Sequence, residues 1–325
     1  MTTRIVNSIC ILLLFLGKLQ LSISASEKNR ISQSIDSPEL QNRIIGGTMA
    51  KPNRHPFYTF LNIQISSFGG SESSLCGGSL IAPDVVMTAA HCVSYAANIE
   101  ARVNSTSREY NEYEHNRKSS LILAHPNYQP LNGIYQNDIA LIFLDSPVKD
   151  VPLVRLNKNE SLPAPNRTKV TAIGLGITVL TNPPSDSNYS EHLMEASFQA
   201  ISNVECIKRA DSSMIQESDL CCYNKKKGVC YGDSGGPLIL ASSKSQNRVQ
   251  VGIASRSSKF SYKPTCIKAG VPQVYTRVSY YNAWIQDNIC KFSKVKPRSC
   301  TTVKPNIRGP ATKPIVKESS IKPIS

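Results

Sequence analysis

The chain has 325 residues, 40% of them hydrophobic, with 17 Gly and 20 Pro. That is ample apolar material for one large globular unit or two small ones, and it excludes a wholly disordered chain. The net charge of +14 is unevenly placed: from Lys291 to the end nine Lys or Arg stand against one acid, Glu318, so these 35 residues carry +8 of it.

In chain order, Arg4 precedes an apolar run from Ile9 to Leu16 that contains Cys10, and Ser22, Ser24 and Ala25 follow. This pattern reads as a signal peptide over 1–24. A membrane anchor would need about 20 unbroken apolar residues, and Lys18 interrupts the run. Residues 25–43 are polar and end in Asn42-Arg43, which reads as a propeptide. Residues 44–290 form a body of short apolar or alternating runs between turn residues. Among them are Phe57 to Ile65, Ser79 to Thr88, Ile139 to Leu144, Val170 to Ile173, Pro237 to Ala241, Val249 to Ser255 and Gln273 to Val278. Many short strands of this kind predict an all-β sandwich or barrel architecture, closed by one helix over Tyr280 to Ile289. Residues 291–325 hold five prolines and one aromatic, a composition that predicts a basic disordered tail. Such a tail is either solvated without a partner or binds polyanions through charge.

Past the signal nine cysteines remain, a load expected where thiols are oxidised. Four Asn-x-Ser/Thr sequons, at Asn104, Asn159, Asn166 and Asn188, add the expectation of a glycoprotein. The expected location is therefore extracellular, with no membrane association.

Five motifs stand in a fixed order: Ile44-Ile45-Gly46-Gly47, Cys76-Gly77-Gly78-Ser79-Leu80, Thr88-Ala89-Ala90-His91-Cys92, Asn137-Asp138-Ile139-Ala140-Leu141 and Gly232-Asp233-Ser234-Gly235-Gly236-Pro237. Together they resemble the chymotrypsin-like family of serine proteases over residues 44 to about 289. The resemblance implies two six-stranded antiparallel β-barrels with a C-terminal helix, joined near 150–165, with the active site between them. A serine hydroxyl is a poor nucleophile unless a neighbouring base takes its proton. The resemblance gives that role to His91, the orienting carboxylate to Asp138 and the nucleophile to Ser234, with Ser255 helping to hold Asp138. The N–H groups of Gly232 and Ser234 would face the oxyanion. Cleavage of Arg43-Ile44 by a trypsin-like activating protease would free an Ile44 ammonium to pair with Asp233. The implied disulfides are Cys76 with Cys92, Cys206 with Cys221 and Cys230 with Cys266, while the pairing of Cys222, Cys290 and Cys300 stays open.

The substrate partners would be proteins or peptides, and the chemistry needs no cofactor. No metal site is expected either, since Glu109, Glu112 and Glu114 fit a solvated acidic loop better than a calcium loop. In this family the pocket floor lies two residues before the cysteine of the active-site turn. Here that residue is Gly228, beside Val229, with Ser257 and Gln273 narrowing the walls, a stretch similar to that of elastases. Cleavage after small or medium uncharged residues is expected. Three departures stand out: Gly174-Leu175-Gly176 for Gly-Trp-Gly, Arg256 for an aromatic, and a long Ser257–Cys266 loop with Lys259 and Lys263. Alternatives are a selective cascade protease or a non-catalytic binding protein on the same fold.

Overall fold

The computed structural model describes residues 44, 46–67, 70–131, 134–178, 188–210, 214–241, 247–257 and 271–301. The expected signal and propeptide, Arg43 included, lie outside them, as do Cys266 and residues 302–325.

The strands are short and follow the alternating runs. They are β1 (Thr48–Met49), β2 (Tyr58–Ser67), β3 (Gly70–Ala82), β4 (Val85–Thr88), β5 (Ala96–Val103), β6 (His115–Ala124), β7 (Gln129–Leu131), β8 (Ile134–Gln136), β9 (Ala140–Leu144) and β10 (Arg155–Leu156). Then come β11 (Lys169–Gly174), β12 (Met194–Ile201), β13 (Asp219–Tyr223), β14 (Pro237–Leu240), β15 (Val249–Ser257) and β16 (Gln273–Arg277). The first barrel closes in the order β2-β3-β4-β9-β6-β5. The second runs β12-β11-β14-β15-β16-β13, and a β12–β13 pairing closes it, with β1 and β10 added at its margins. Both barrels are therefore six-stranded and antiparallel, as expected.

The period of two explains which faces are inside. Along β12, Met194, Ala196, Phe198 and Ala200 are buried, while Glu195, Ser197 and Gln199 between them are partly or fully exposed. Strand β9 is buried throughout, as befits a strand covered on both faces. Leu61, Ile63, Leu80, Met87 and Leu141 form the first core. Val170, Phe198, Leu238, Val251 and Tyr275 form the second, and Ile44 packs into it, fully buried.

Helix α1 (Ala90–Val93) is a single turn after β4, α2 (Asn203–Ala210) precedes β13, and α3 (Asn282–Phe292) ends the body. The expected helix over Tyr280 to Ile289 starts as a 3-10 turn, Val278–Tyr281, and runs on to Phe292. Ile285 and Ile289, one turn apart, bury against the first barrel's core, and Phe292 meets Phe143 edge to face at 5.7 Å. The chain then stays anchored. Ser293 Oγ donates to Asp84 Oδ1 at 2.6 Å and the Lys294 N–H to Asp84 Oδ2 at 2.6 Å. A Cys290–Cys300 disulfide clasps the segment back to α3. The expected tail boundary at 291 is thus corrected: residues 291–301 belong to the folded body. Composition misled there because one buried carboxylate, far away in sequence, supplies the anchor.

Cys76–Cys92 and Cys206–Cys221 are bridged as the resemblance implied. Cys230 is disulfide-bonded, and its expected partner Cys266 lies outside the described residues. Cys222 is a free, buried thiol. Among the described residues no helix is long and apolar enough to cross a membrane.

Candidate active site

Three segments converge where the barrels meet. His91 sits in α1, tied to β3 by the Cys76–Cys92 bridge. Asp138 follows Asn137, whose left-handed backbone (φ 51°) turns the chain into β9. Asn137 is held by its side chain: Nδ2 donates to the Asn127 carbonyl at 2.8 Å, and Oδ1 accepts from the Tyr281 hydroxyl at 2.9 Å. Ser234 lies on the turn before β14, where its carbonyl accepts the Gly77 N–H at 2.7 Å.

Asp138 is 1% exposed. Its Oδ1 accepts the His91 backbone N–H at 2.8 Å, while Oδ2 faces His91 Nδ1 at 2.8 Å and accepts the Ser255 hydroxyl at 2.7 Å. Burial, the largest effect, opposes ionisation. The charge of the His91 ring and these hydrogen bonds outweigh it and hold the carboxyl below its ordinary range. Ser255 reaches Asp138 because the β15–β16 register shifts between Ala254 and Arg256, and a bulge of this kind re-aims a side chain. Thr276 Oγ1 donates to the Asp138 carbonyl at 2.7 Å. With Nδ1 turned to Asp138, Nε2 is the His91 nitrogen left for a substrate proton. Ser234 Oγ makes no hydrogen bond to it in this conformation, and such contacts often tighten only once substrate is bound. His91 also has Cys76 and Cys92 as close neighbours, but their sulfurs are bonded to each other and are not metal ligands.

The serine turn depends on glycine. Gly232 has φ +88°, and a Cβ there would meet the Tyr189 ring at 2.9 Å. Neither the Gly232 nor the Ser234 N–H is used by an acceptor among the described residues, so both remain available to an oxyanion. Asp233 is 1% exposed. Its carboxylate accepts the Gly176 and Cys230 N–H groups at 2.9 Å each and has no cation partner among the described residues. Burial pushes it up to about 7. A Cβ on Gly176 would stand 2.5 Å from Asp233 Cγ, which accounts for a glycine at that position.

A cavity of about 180 Å³ opens beside Ser234, lined among others by Val229, Tyr231, Arg256, Ser257 and Gln273. Among the described residues no acid lines it. The expected floor residue, Gly228, is buried just before Val229. A glycine has no side chain to project, so Val229 and Gln273 give the lining its character. Gln273 is 2% exposed, and its Nε2 donates to the Val271 carbonyl at 3.4 Å.

Sequence reasoning missed several residues here. Tyr135, on β8, stacks on the His91 ring (centroids 5.0 Å, planes at 17°). Asp219 pairs with Arg256 at 2.7 Å. Tyr281 and Thr276 brace the Asp138 loop. Only Arg256 carried any signal, as a departure from pattern. Elsewhere, Glu109 and Glu112 are exposed as expected. Glu114 is buried, accepts from Ser105 Oγ at 2.8 Å and faces Arg102 at 3.3 Å, with burial raising its carboxyl. Of the sequons, Asn159 and Asn166 are exposed, Asn104 is half-buried and Asn188 is buried. A buried side chain gives a glycan no exit.

The family model for trypsin matches residues 44–285. The chain belongs to the trypsin family. Among its relatives, a trypsin of Sarcophaga bullata is 31% identical over 76% of this chain and 89% of that protein. Brachyurin of Leptuca pugilator is 32% identical over 75% and 97%. A CLIP domain-containing serine protease, B10, of Anopheles gambiae is 33% identical over 77% and 70%. Among solved structures, HL collagenase superposes with a TM-score of 0.62 at 28% identity, covering 75% of this chain and 97% of that one. The trypsin-family assignment and the barrel topology agree on a chymotrypsin-like serine protease.

Proposed function

We propose that this trypsin-family chain is a secreted serine endopeptidase, made as an inactive precursor, that cleaves after small or medium uncharged residues. The observation that carries the reading is the shared carboxylate of Asp138, which binds the His91 backbone, the His91 ring and Ser255 at 2.7–2.8 Å. Such a carboxylate fixes the tautomer that leaves Nε2 as the base. In this mechanism the substrate carbonyl sits at Ser234 Oγ. His91 Nε2 takes the hydroxyl proton as the Oγ–carbonyl bond forms, and the N–H groups of Gly232 and Ser234 receive the oxyanion. His91 then gives the proton to the leaving amine as the C–N bond breaks. Water repeats the sequence to free the acyl group.

Asp233 supports the precursor reading. A fully buried carboxyl without a cation is costly, and an Ile44 ammonium released by cutting after Arg43 would supply the missing charge beside Ser234. Val229 and Gln273 support the specificity reading, because an apolar wall and a neutral amide give a Lys or Arg side chain no counter-charge. Exposed Asn159 and Asn166 suit glycosylation, and the basic segment past Cys300 suits polyanions. A narrower reading, a cascade protease with one protein target, draws on the CLIP-domain relative.

The test begins with the purified precursor. After cutting at Arg43, a fluorophosphonate should label Ser234 and a peptide library should report the cleaved residue, while Arg43→Gln should stay full length and unlabelled. Equal activity of cut and uncut protein would exclude the precursor reading. Hydrolysis of denatured casein would count against the single-target reading.

A further inference from the structure

We propose that the Asp219–Arg256 ion pair, formed within the second barrel, is a clamp that holds Tyr135 over the His91 ring. The clamp thereby sets which side chain the cleft accepts immediately before the one in the pocket. This rests on the acyl-transfer reading above.

Arg256 follows Ser255 past the bulge in β15 and lines the cavity beside Ser234. Its guanidinium meets Asp219 in a fork: Nη2 to Oδ2 at 2.7 Å and Nη1 to Oδ1 at 3.2 Å. Both side chains are nearly buried, 9% and 7% exposed, so the pair is rigid and little screened. Asp219 opens β13, and its Oδ2 also accepts the Gln216 N–H at 3.0 Å, which fixes the carboxylate from behind. The far side of the guanidinium reaches two carbonyls. Nη1 approaches Tyr135 at 3.4 Å and Nη2 approaches Met214 at 3.3 Å.

Tyr135 needs such a hold. Strands β7 and β8 pair only with each other, outside both barrels, so no barrel ladder fixes this segment. What steadies it over the cleft is the stack on His91, a looser contact with Tyr128 (6.3 Å) and the reach of Arg256. A pinned Arg256 therefore links a barrel strand to the backbone of Tyr135, whose ring covers His91. Its charge is spent on Asp219, so its role is geometric. A peptide whose carbonyl is at Ser234 and whose side chain fills the cavity continues between Arg256 and Tyr135. With the Tyr135 ring lying on the imidazole, that passage admits a small side chain and resists a large one.

The experiment uses full-length protein cut at Arg43 and paired peptides with Ala or Phe before the pocket residue. Removing one partner leaves the other charge buried and unpaired, which costs folding stability, so the deciding variant is the double Asp219→Asn, Arg256→Gln. Wild type should prefer Ala. The double variant should lose about tenfold of that preference, a typical coupling between residues in contact, through KM more than kcat. Arg256→Lys should not restore it, because an ammonium lacks the fork. In a Tyr135→Ala background the double variant should have no further effect. An independent reading is the ring-current shift of the His91 ring protons, present in wild type and lost in the double variant. A double variant that labels with fluorophosphonate and keeps both the Ala preference and the ring-current shift would overturn the clamp. So would a wild-type preference for Asp or Glu that Arg256→Gln alone removes. A wild type that fails to label would overturn the acyl-transfer reading, and the ring-current comparison would still decide the clamp.

Discussion

Asp138, closed into the first barrel, and Asp233, on the serine turn of the second, are equally buried at 1% exposure. Asp138 faces an imidazole and accepts a hydroxyl and a backbone N–H, and its carboxyl is held low. Among the described residues Asp233 receives two backbone N–H groups, and its carboxyl is pushed up to about 7. Burial costs both the same kind of desolvation; a neighbouring positive or proton-donating partner decides which stays ionised. Among the described residues, the carboxyl beside His91 thus has a ring partner, whereas the one beside Ser234 has no cation.

The largest expected effect tests whether the two halves act as one. Ser234→Ala should lower kcat by about 10⁶-fold and Asp138→Asn by about 10⁴-fold, the scale of such losses in serine proteases. Both variants should stay folded. Active-site-titrated peptide hydrolysis measures this, and comparable turnover by Ser234→Ala would separate the halves again. Next is the pocket beside Ser234. Peptides differing only at the residue before the cut should favour Ala or Val over Arg or Lys by about 10²-fold or more, because an uncompensated buried cation costs several kcal/mol. A preference for Arg would mean that an acid reaches the pocket.

The contrast between the two aspartates sharpens with pH. In a Ser234→Ala precursor, Asp233 keeps its proton in the folded state up to about pH 7, while the unfolded chain releases it near 3.8. Stability from this group is therefore full below about pH 4, falls as pH rises and levels off above about 7, with an upper bound of about 4 kcal/mol. Denaturant midpoints across that window should show the decline. Asp233→Asn should flatten it, and so should cutting at Arg43, since an ammonium favours the ionised carboxyl. A cut protein with the same slope as the precursor would break the link between Ile44 and Asp233. The smallest effect concerns the clasp on the first barrel. Cys290→Ser with Cys300→Ser closes no loop and should cost at most about 3 kcal/mol, with the peptide preference unchanged, because Ser293 and Lys294 still hold Asp84.

Much of this was legible beforehand. The short alternating runs from Phe57 to Val278 became barrel strands because a period of two sorts side chains by face whatever the partner strand. The motif around His91 meets that around Asp138 at 2.8 Å, and the Ser234 turn is held to Gly77. Tyr135, Asp219 and Thr276 were not legible, since a tyrosine before Asn-Asp or an aspartate opening a strand carries no mark of what it will touch.

The sequence by itself determined the barrel class and the family, and through that resemblance two of the disulfides and the proposal of His91, Asp138 and Ser234 as a triad, because these depend on local pattern and on motifs a few residues long. Only the tertiary structure decided that Cys290 bridges Cys300 while Cys222 stays free, and that residues 291–301 are seated on Asp84. It also decided that Arg256 is spent on Asp219 and that Asp233 is buried without a cation among the described residues. Each of these is a meeting of residues far apart in the chain or a matter of burial, and both are set by how the barrels close rather than by neighbours in sequence.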